Sequence, residues 1–183
     1  MSRDLHLESA GLQPQQRLNA DVSLGVDPGV NLGIAIARRR QPGEPSKFGY
    51  VLLHYSTIRT PPEHNAAERV AEYRDGLRAI CHATKIHSAH VEVPWRRVRT
   101  GNALSVYTRG GKNVGNLVLL AAITGAVFSV LHECRIPVYE IPAPMGFRSK
   151  AWEKQKEYEA KGVFGADLRK HEAVAAMLAL KGL

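Results

Sequence analysis

The stretch VSLGVDPGVNLGIAIAR, residues 22–38, constrains this chain more than any other. Its two apolar runs, Val22 to Asp27 and Gly33 to Arg38, are rich in β-branched residues and parted by a Pro/Gly turn, which predicts two strands with a short connection. A third run, Gly49 to Thr57, lies beyond a second Pro/Gly-containing turn, and such short connections make the three strands an antiparallel meander. Asp27 ends the first strand directly before Pro28 and Gly29, where a turn lifts its carboxylate to the rim of the sheet. Taken alone, an Asp before Pro-Gly is more commonly a turn former.

Beyond the meander the apolar period changes. Ala67, Val70, Ala71, Leu77, Ile80 and Cys81 recur at helical spacing, predicting an amphipathic helix from His64 to about Thr84. A short strand, AHVEV, follows and carries Glu92 between two valines. A carboxylate within an apolar strand is costly to bury unless something pairs with it, and a divalent cation is one efficient partner. An Arg- and Gly-dense loop from Pro94 to Lys112 leads into the apolar stretch Asn113 to His132, long enough for a largely buried helix. Pro137 lies inside a final strand, IPVYEI, and so points to an edge or strand-start position. A charged helix near Ala151 to Ala160 and the helix-like run ADLRKHEAVAAMLAL complete the order β-β-β-α-β-α-β-α-α. That order implies an α/β fold in which a mixed five-stranded sheet carries helices on both faces.

The chain's 183 residues suit one domain, spanning 21–183 and preceded by a polar, flexible tail over 1–20. Lys and Arg outnumber Asp and Glu by 25 to 17, and the formal charge of +8 favours a polyanionic partner. No apolar run reaches the roughly 20 residues that span a bilayer, and the N-terminal residues lack a secretory pattern. Cys81 and Cys134 stand far apart in the sequence, each in a segment that reads as helix, which gives little support to a disulfide framework. The cluster Cys81, His82, His87 and His90 lacks a zinc-ligand spacing. A reducing, cytoplasmic setting is expected.

Three motifs together resemble the RuvC-like Holliday-junction resolvases of the RNase H-like superfamily. LGVDPGVNLGIAIA resembles the first strand, its Asp-Pro-Gly and the glycine that begins the second strand. VEVPW resembles the second acidic strand, and HEAVAAMLAL the last helix, which in that family brings two further metal ligands three residues apart. The resemblance runs from about Val22 to Leu180. It implies a metal-dependent endodeoxyribonuclease with Mg²⁺ or Mn²⁺ as cofactor, and Asp27, Glu92 and His171 as metal ligands. Val174 occupies the place of the family's fourth ligand, usually Asp. Glu172 and Asp167 are the nearby acids that can substitute. On a continuous helix Asp167 shares a face with His171 at i, i+4, while Glu172 is rotated by roughly 100° but reaches further. Asp167 equally suits the N-cap of this helix, and His171 a solvated helix position.

The resemblance further implies a four-way DNA junction as substrate and a homodimer whose two sites cut symmetric strands, with the Asn113–His132 helix as the candidate dimer contact. Trp95, three residues after Glu92, matches an aromatic position that such enzymes bring to the crossover, although a Trp beside Pro94 can equally anchor its loop. Arg96, Arg97, Arg99, Arg109 and Lys112 make a basic loop suited to phosphates, with Arg148 and Lys150 as further candidates. Two other readings stay open. One is a junction-binding protein without catalysis, prompted by Val174. The other is an RNase H-fold nuclease of YqgF-like type acting on RNA.

Overall fold

The computed structural model describes residues 21–44, 47–93, 114–143 and 150–183, with the backbone alone for 114–117. Five strands form one sheet: β1 (Val22–Asp27), β2 (Asn31–Arg39), β3 (Tyr50–Arg59), β4 (Ser88–Val93) and β5 (Val138–Pro142). Their spatial order is β3-β2-β1-β4-β5, antiparallel between β3, β2 and β1 and parallel between β1, β4 and β5. The expected mixed five-stranded α/β sheet is thus present. Four α-helices accompany it among the described residues: α1 (Ala66–Ala83), α2 (Val114–Glu133), α3 (Lys150–Phe164) and α4 (Lys170–Ala179). None of the described helices is long and apolar enough to cross a membrane.

The two faces of the sheet differ in side-chain size, because successive residues of a strand point to opposite sides. In β2 the large residues Leu32, Ile34 and Ile36 join Leu24, Val26 and Val91 in the main core, together with Tyr73 and Leu77 of α1 and Ile123, Val127 and Leu131 of α2. The residues between them, Gly33, Ala35 and Ala37, are small and face the other way. There Ala35 packs with Ala173, Ala175 and Ala176 of α4 and Ala160 of α3. One layer is therefore thick with branched side chains and the other nearly bare.

Gly25 and Gly33 bring α4 still closer. A Cβ on Gly25 would lie 1.8 Å from the Ala175 carbonyl oxygen and 2.6 Å from the Ala179 nitrogen, and one on Gly33 would lie 2.3 Å from the His171 carbonyl oxygen. Backbone therefore rests on backbone, an approach that only glycine permits. The alanines of α4 that meet this surface are fully buried.

Two helix boundaries and one strand boundary depart from the sequence reading with consequences for the site or the core. The last helix begins at Lys170 with Arg169 as its N-cap, so residues 166–169 lie outside it and Asp167 is not the cap. The backbone N–H of Arg169 donates instead to the carboxylate of Glu172, three residues on. Cys134 falls just past the end of α2, where Arg135 takes a positive φ of 57° and the Ile136 N–H returns to the Leu131 carbonyl, closing the helix. Pro137 precedes β5 rather than lying in it, and its carbonyl accepts the Ala89 N–H; β5 is nevertheless an edge strand.

Cys81 and Cys134, distant in sequence, pack in the same apolar cluster. Burial, reinforced by the neighbouring Cys134, pushes the Cys81 thiol up to about 12. The folded chain therefore keeps a proton that the unfolded chain releases near the ordinary thiol value, so stability should fall as pH rises from about 9 toward 12. Urea unfolding between pH 8.5 and 10.5 is expected to show a steeper loss for wild type than for Cys81→Ala; equal slopes would remove the thiol as the cause.

Candidate active site

Two buried carboxylates stand side by side at one end of the sheet. In the parallel pair β1 and β4 the last registered residues are Val26 and Val91, and one step further each strand carries an acid, Asp27 and Glu92. Val26 and Val91 belong to the α1/α2 core, so alternation turns both acids to the face that α4 covers. Asp27 is 0% exposed and Glu92 7% exposed. The sheet dictates this pairing: parallel strands bring residues 65 positions apart to adjacent places only through the α1 crossover.

Helix α4 supplies the third group. His171 is the second residue of the helix, and its Nδ1 lies 2.9 Å from Oδ2 of Asp27. The imidazole is half-buried, with its Nδ1 edge facing Asp27. Gly29, in the turn after Asp27, adjoins it: a Cβ there would lie 4.0 Å from His171 Cε1. The backbone contact at Gly33 fixes this position, since Gly33 pairs with Asp27 across the sheet and carries the His171 main chain above it.

The remaining candidates fall elsewhere. Val174, one turn along α4 from His171, is buried at 3% exposure and offers no ligand atom. The carboxylate of Asp167 is 84% exposed and pairs with Lys161 at 2.7 Å, so the helical face that it was to share with His171 does not exist. Glu172 turns toward β3, where its Oε1 accepts from the Thr57 hydroxyl at 3.4 Å. Lys150 is exposed at the start of α3. Trp95, Arg96, Arg97, Arg99, Arg109, Lys112 and Arg148 lie outside the described residues. Thr57 and Gly25 shape the site although sequence reasoning did not single them out, and so does Gly33, which the resemblance gave only as the glycine that begins the second strand; the large-small alternation of LGIAIA was the available signal for the close approach at Gly33.

Among the described residues no three His, Cys, Asp or Glu groups close into a metal cage. His87 and His90, at the other end of the same face, are engaged locally: Nδ1 of His87 accepts the Val22 N–H at 2.9 Å, and Nδ1 of His90 lies 3.3 Å from the Ser23 hydroxyl. Burial, then Lys181, holds His90 below the usual histidine range. The Asp27 and Glu92 pair still fits one kind of ion. Mg²⁺ commonly takes one or two protein carboxylates and completes its shell with water and substrate phosphate, without a protein cage.

Comparison with solved structures identifies the fold. RuvC of Thermus thermophilus in complex with a Holliday junction substrate matches with a TM-score of 0.63 and 21% identity, over 87% of this chain and 90% of that one. This chain has the RuvC fold. A second Thermus thermophilus RuvC structure matches at 0.63 with 22% identity, covering 87% and 91%. The fowlpox virus resolvase, in complex with substrate Holliday junction DNA, matches at 0.51 with 12% identity, covering 87% and 96%. No protein-family model and no curated protein sequence matches the chain. The RuvC fold agrees with the resemblance carried by LGVDPG, VEVPW and HEAVAA, and the solved neighbours are resolvases.

Proposed function

We propose that this chain is a metal-dependent, structure-selective endonuclease that nicks four-way DNA junctions on symmetric strands as a homodimer. The observation that carries this reading is the placing of Asp27 and Glu92 on adjacent parallel strands, both buried, with His171 at 2.9 Å from Asp27. The RuvC fold and the net charge of +8 support a branched DNA substrate. Asp27, Glu92 and His171 would hold Mg²⁺ or Mn²⁺, which supplies Lewis acidity toward the scissile phosphate and lowers the pKa of attacking water. With Nδ1 engaged by Asp27, Nε2 is the ring nitrogen of His171 that would either bind the ion or orient a water beside it. The basic segment containing Arg96, Arg97, Arg99, Arg109 and Lys112 would hold phosphates of the junction, and Trp95 would stack at its centre.

The homodimer is proposed through α2. Val118, 64% exposed, and the exposed Ala121, Ala122 and Gly125 make one small, apolar helix face turned away from the core. Ala122→Arg is expected to yield a monomer in sedimentation velocity where wild type sediments as a dimer. A wild-type monomer at every concentration, with and without junction, would remove this contact.

Val174 favours a second reading, a junction-binding protein without catalysis, because valine cannot bind a hard cation. Cleavage of an end-labelled synthetic four-way junction, beside linear duplex and structured RNA, decides between them. Paired nicks on the junction alone are expected. Tight junction binding without nicks would sink the enzyme, unless Val174→Asp restores cleavage and identifies a disabled one. Preferred cutting of RNA would instead favour a YqgF-like nuclease.

A further inference from the structure

Three residues form one row across the sheet at the level of the site. Asp27 of β1 pairs with Gly33 of β2, and Gly33 pairs with Thr57 of β3. The N-terminal turn of α4 lies along this row. His171 reaches Asp27 at one end, its main chain covers Gly33 in the middle, and Glu172 receives the Thr57 hydroxyl at the other end. Two consecutive side chains thus straddle the glycine and grip the strands on either side of it.

We propose that Glu172 is a positioning residue and not a metal ligand: it ties the start of α4 to β3 and so holds His171 against Asp27. This rests on the nuclease reading of the site. Both carboxylate oxygens of Glu172 have structural partners, Oε2 accepting the Arg169 N–H at 3.2 Å and Oε1 the Thr57 hydroxyl at 3.4 Å. The first bond satisfies a backbone donor that the helix itself leaves open. The second ties Glu172 to β3 on the far side of the helix's seat on Gly33. Glu172 also lies on the β3 side of Gly33, with β2 between Thr57 and Asp27.

Glutamine separates the two roles. A Gln side-chain oxygen can accept the Arg169 N–H while its amide donates to the Thr57 oxygen, since a hydroxyl both donates and accepts. A metal ligand would lose its charge in the same change. Glu172→Gln is therefore expected to keep kcat on a four-way junction within about 3-fold of wild type, while Glu172→Ala lowers it by about 10-fold with little change in KM, on the scale of a lost helix cap. Thr57→Val should reproduce part of the Ala effect and add little to it in the double variant.

Two readouts do not depend on cleavage. The His171 Hε1 resonance, recorded at fixed pH, should move in Glu172→Ala and Thr57→Val but not in Glu172→Gln. Affinity for Mn²⁺ alone, measured by titration calorimetry, should be the same for wild type and Glu172→Gln. A Gln variant as impaired as the Ala variant, or one with weakened Mn²⁺ binding, would make Glu172 a ligand and overturn the proposal. An unmoved His171 resonance in Glu172→Ala would overturn it as well. If wild type cleaves nothing, the nuclease reading fails, while the resonance still judges the grip on His171.

Discussion

Gly25→Ala should lower the stability of the folded chain by about 3 kcal/mol, an unusually large effect for the addition of one methyl group. Its new Cβ would sit 1.8 Å from the Ala175 carbonyl oxygen and 2.6 Å from the Ala179 nitrogen, and both are main-chain atoms of a helix. No rotamer change can relieve such a contact, so α4 must lift from the sheet along its length. Gly162→Ala provides the contrast. Gly162 lies within α3, and a Cβ there meets nothing within 4 Å, so alanine should stabilise by about 0.5 to 1 kcal/mol through its helix propensity. At about 2 to 4 °C per kcal/mol for a chain of this size, the Gly25 variant should melt roughly 6 to 12 °C below wild type. A melting point within about 2 °C of wild type would mean that α4 is not seated on the backbone of β1.

Asp27→Asn should reduce junction cleavage by ~10³-fold or more while leaving junction binding within a few-fold. The substitution keeps the shape of the side chain but removes the charge that a divalent cation requires, and Lewis-acid stabilisation is worth several kcal/mol at about 1.4 kcal/mol per tenfold in rate. The substituted amide would still offer an oxygen toward His171, so the imidazole keeps a partner in the variant. Single-turnover cleavage of a labelled junction, first with Mg²⁺ and then with Mn²⁺, gives the rate. Filter binding in the absence of metal gives the affinity. A variant that cuts within tenfold of wild type would take Asp27 out of the reacting centre.

Elements whose identity follows from a local period were legible in the sequence. β-Branched residues after the Pro/Gly turn gave β2, helical recurrence from Ala67 to Cys81 gave α1, and acids in apolar strands marked Asp27 and Glu92 as candidates to share an ion. The start of α4 was not legible. Asp167 has the chemistry of an N-cap, yet it pairs with Lys161, and the capping contact comes backward from Glu172 to the Arg169 N–H. That choice depends on where α3 and the sheet hold the chain, which no local pattern records. The role of Thr57 was hidden for a related reason: its partner is 115 residues away and is specified only by strand register. Gly25 was not singled out in the sequence, and only the docked helix gives the reason for it.

The bare face of the sheet bears on how finely the imidazole can be placed. Where a helix and a strand meet through side chains, their spacing is relayed through groups that can change rotamer. Here the relay is main chain against main chain at Gly25 and Gly33, so few torsions remain between β1 and the helix that carries His171. The tolerance of the site is thereby set by hard contacts of the peptide backbone, which have no rotamer to change.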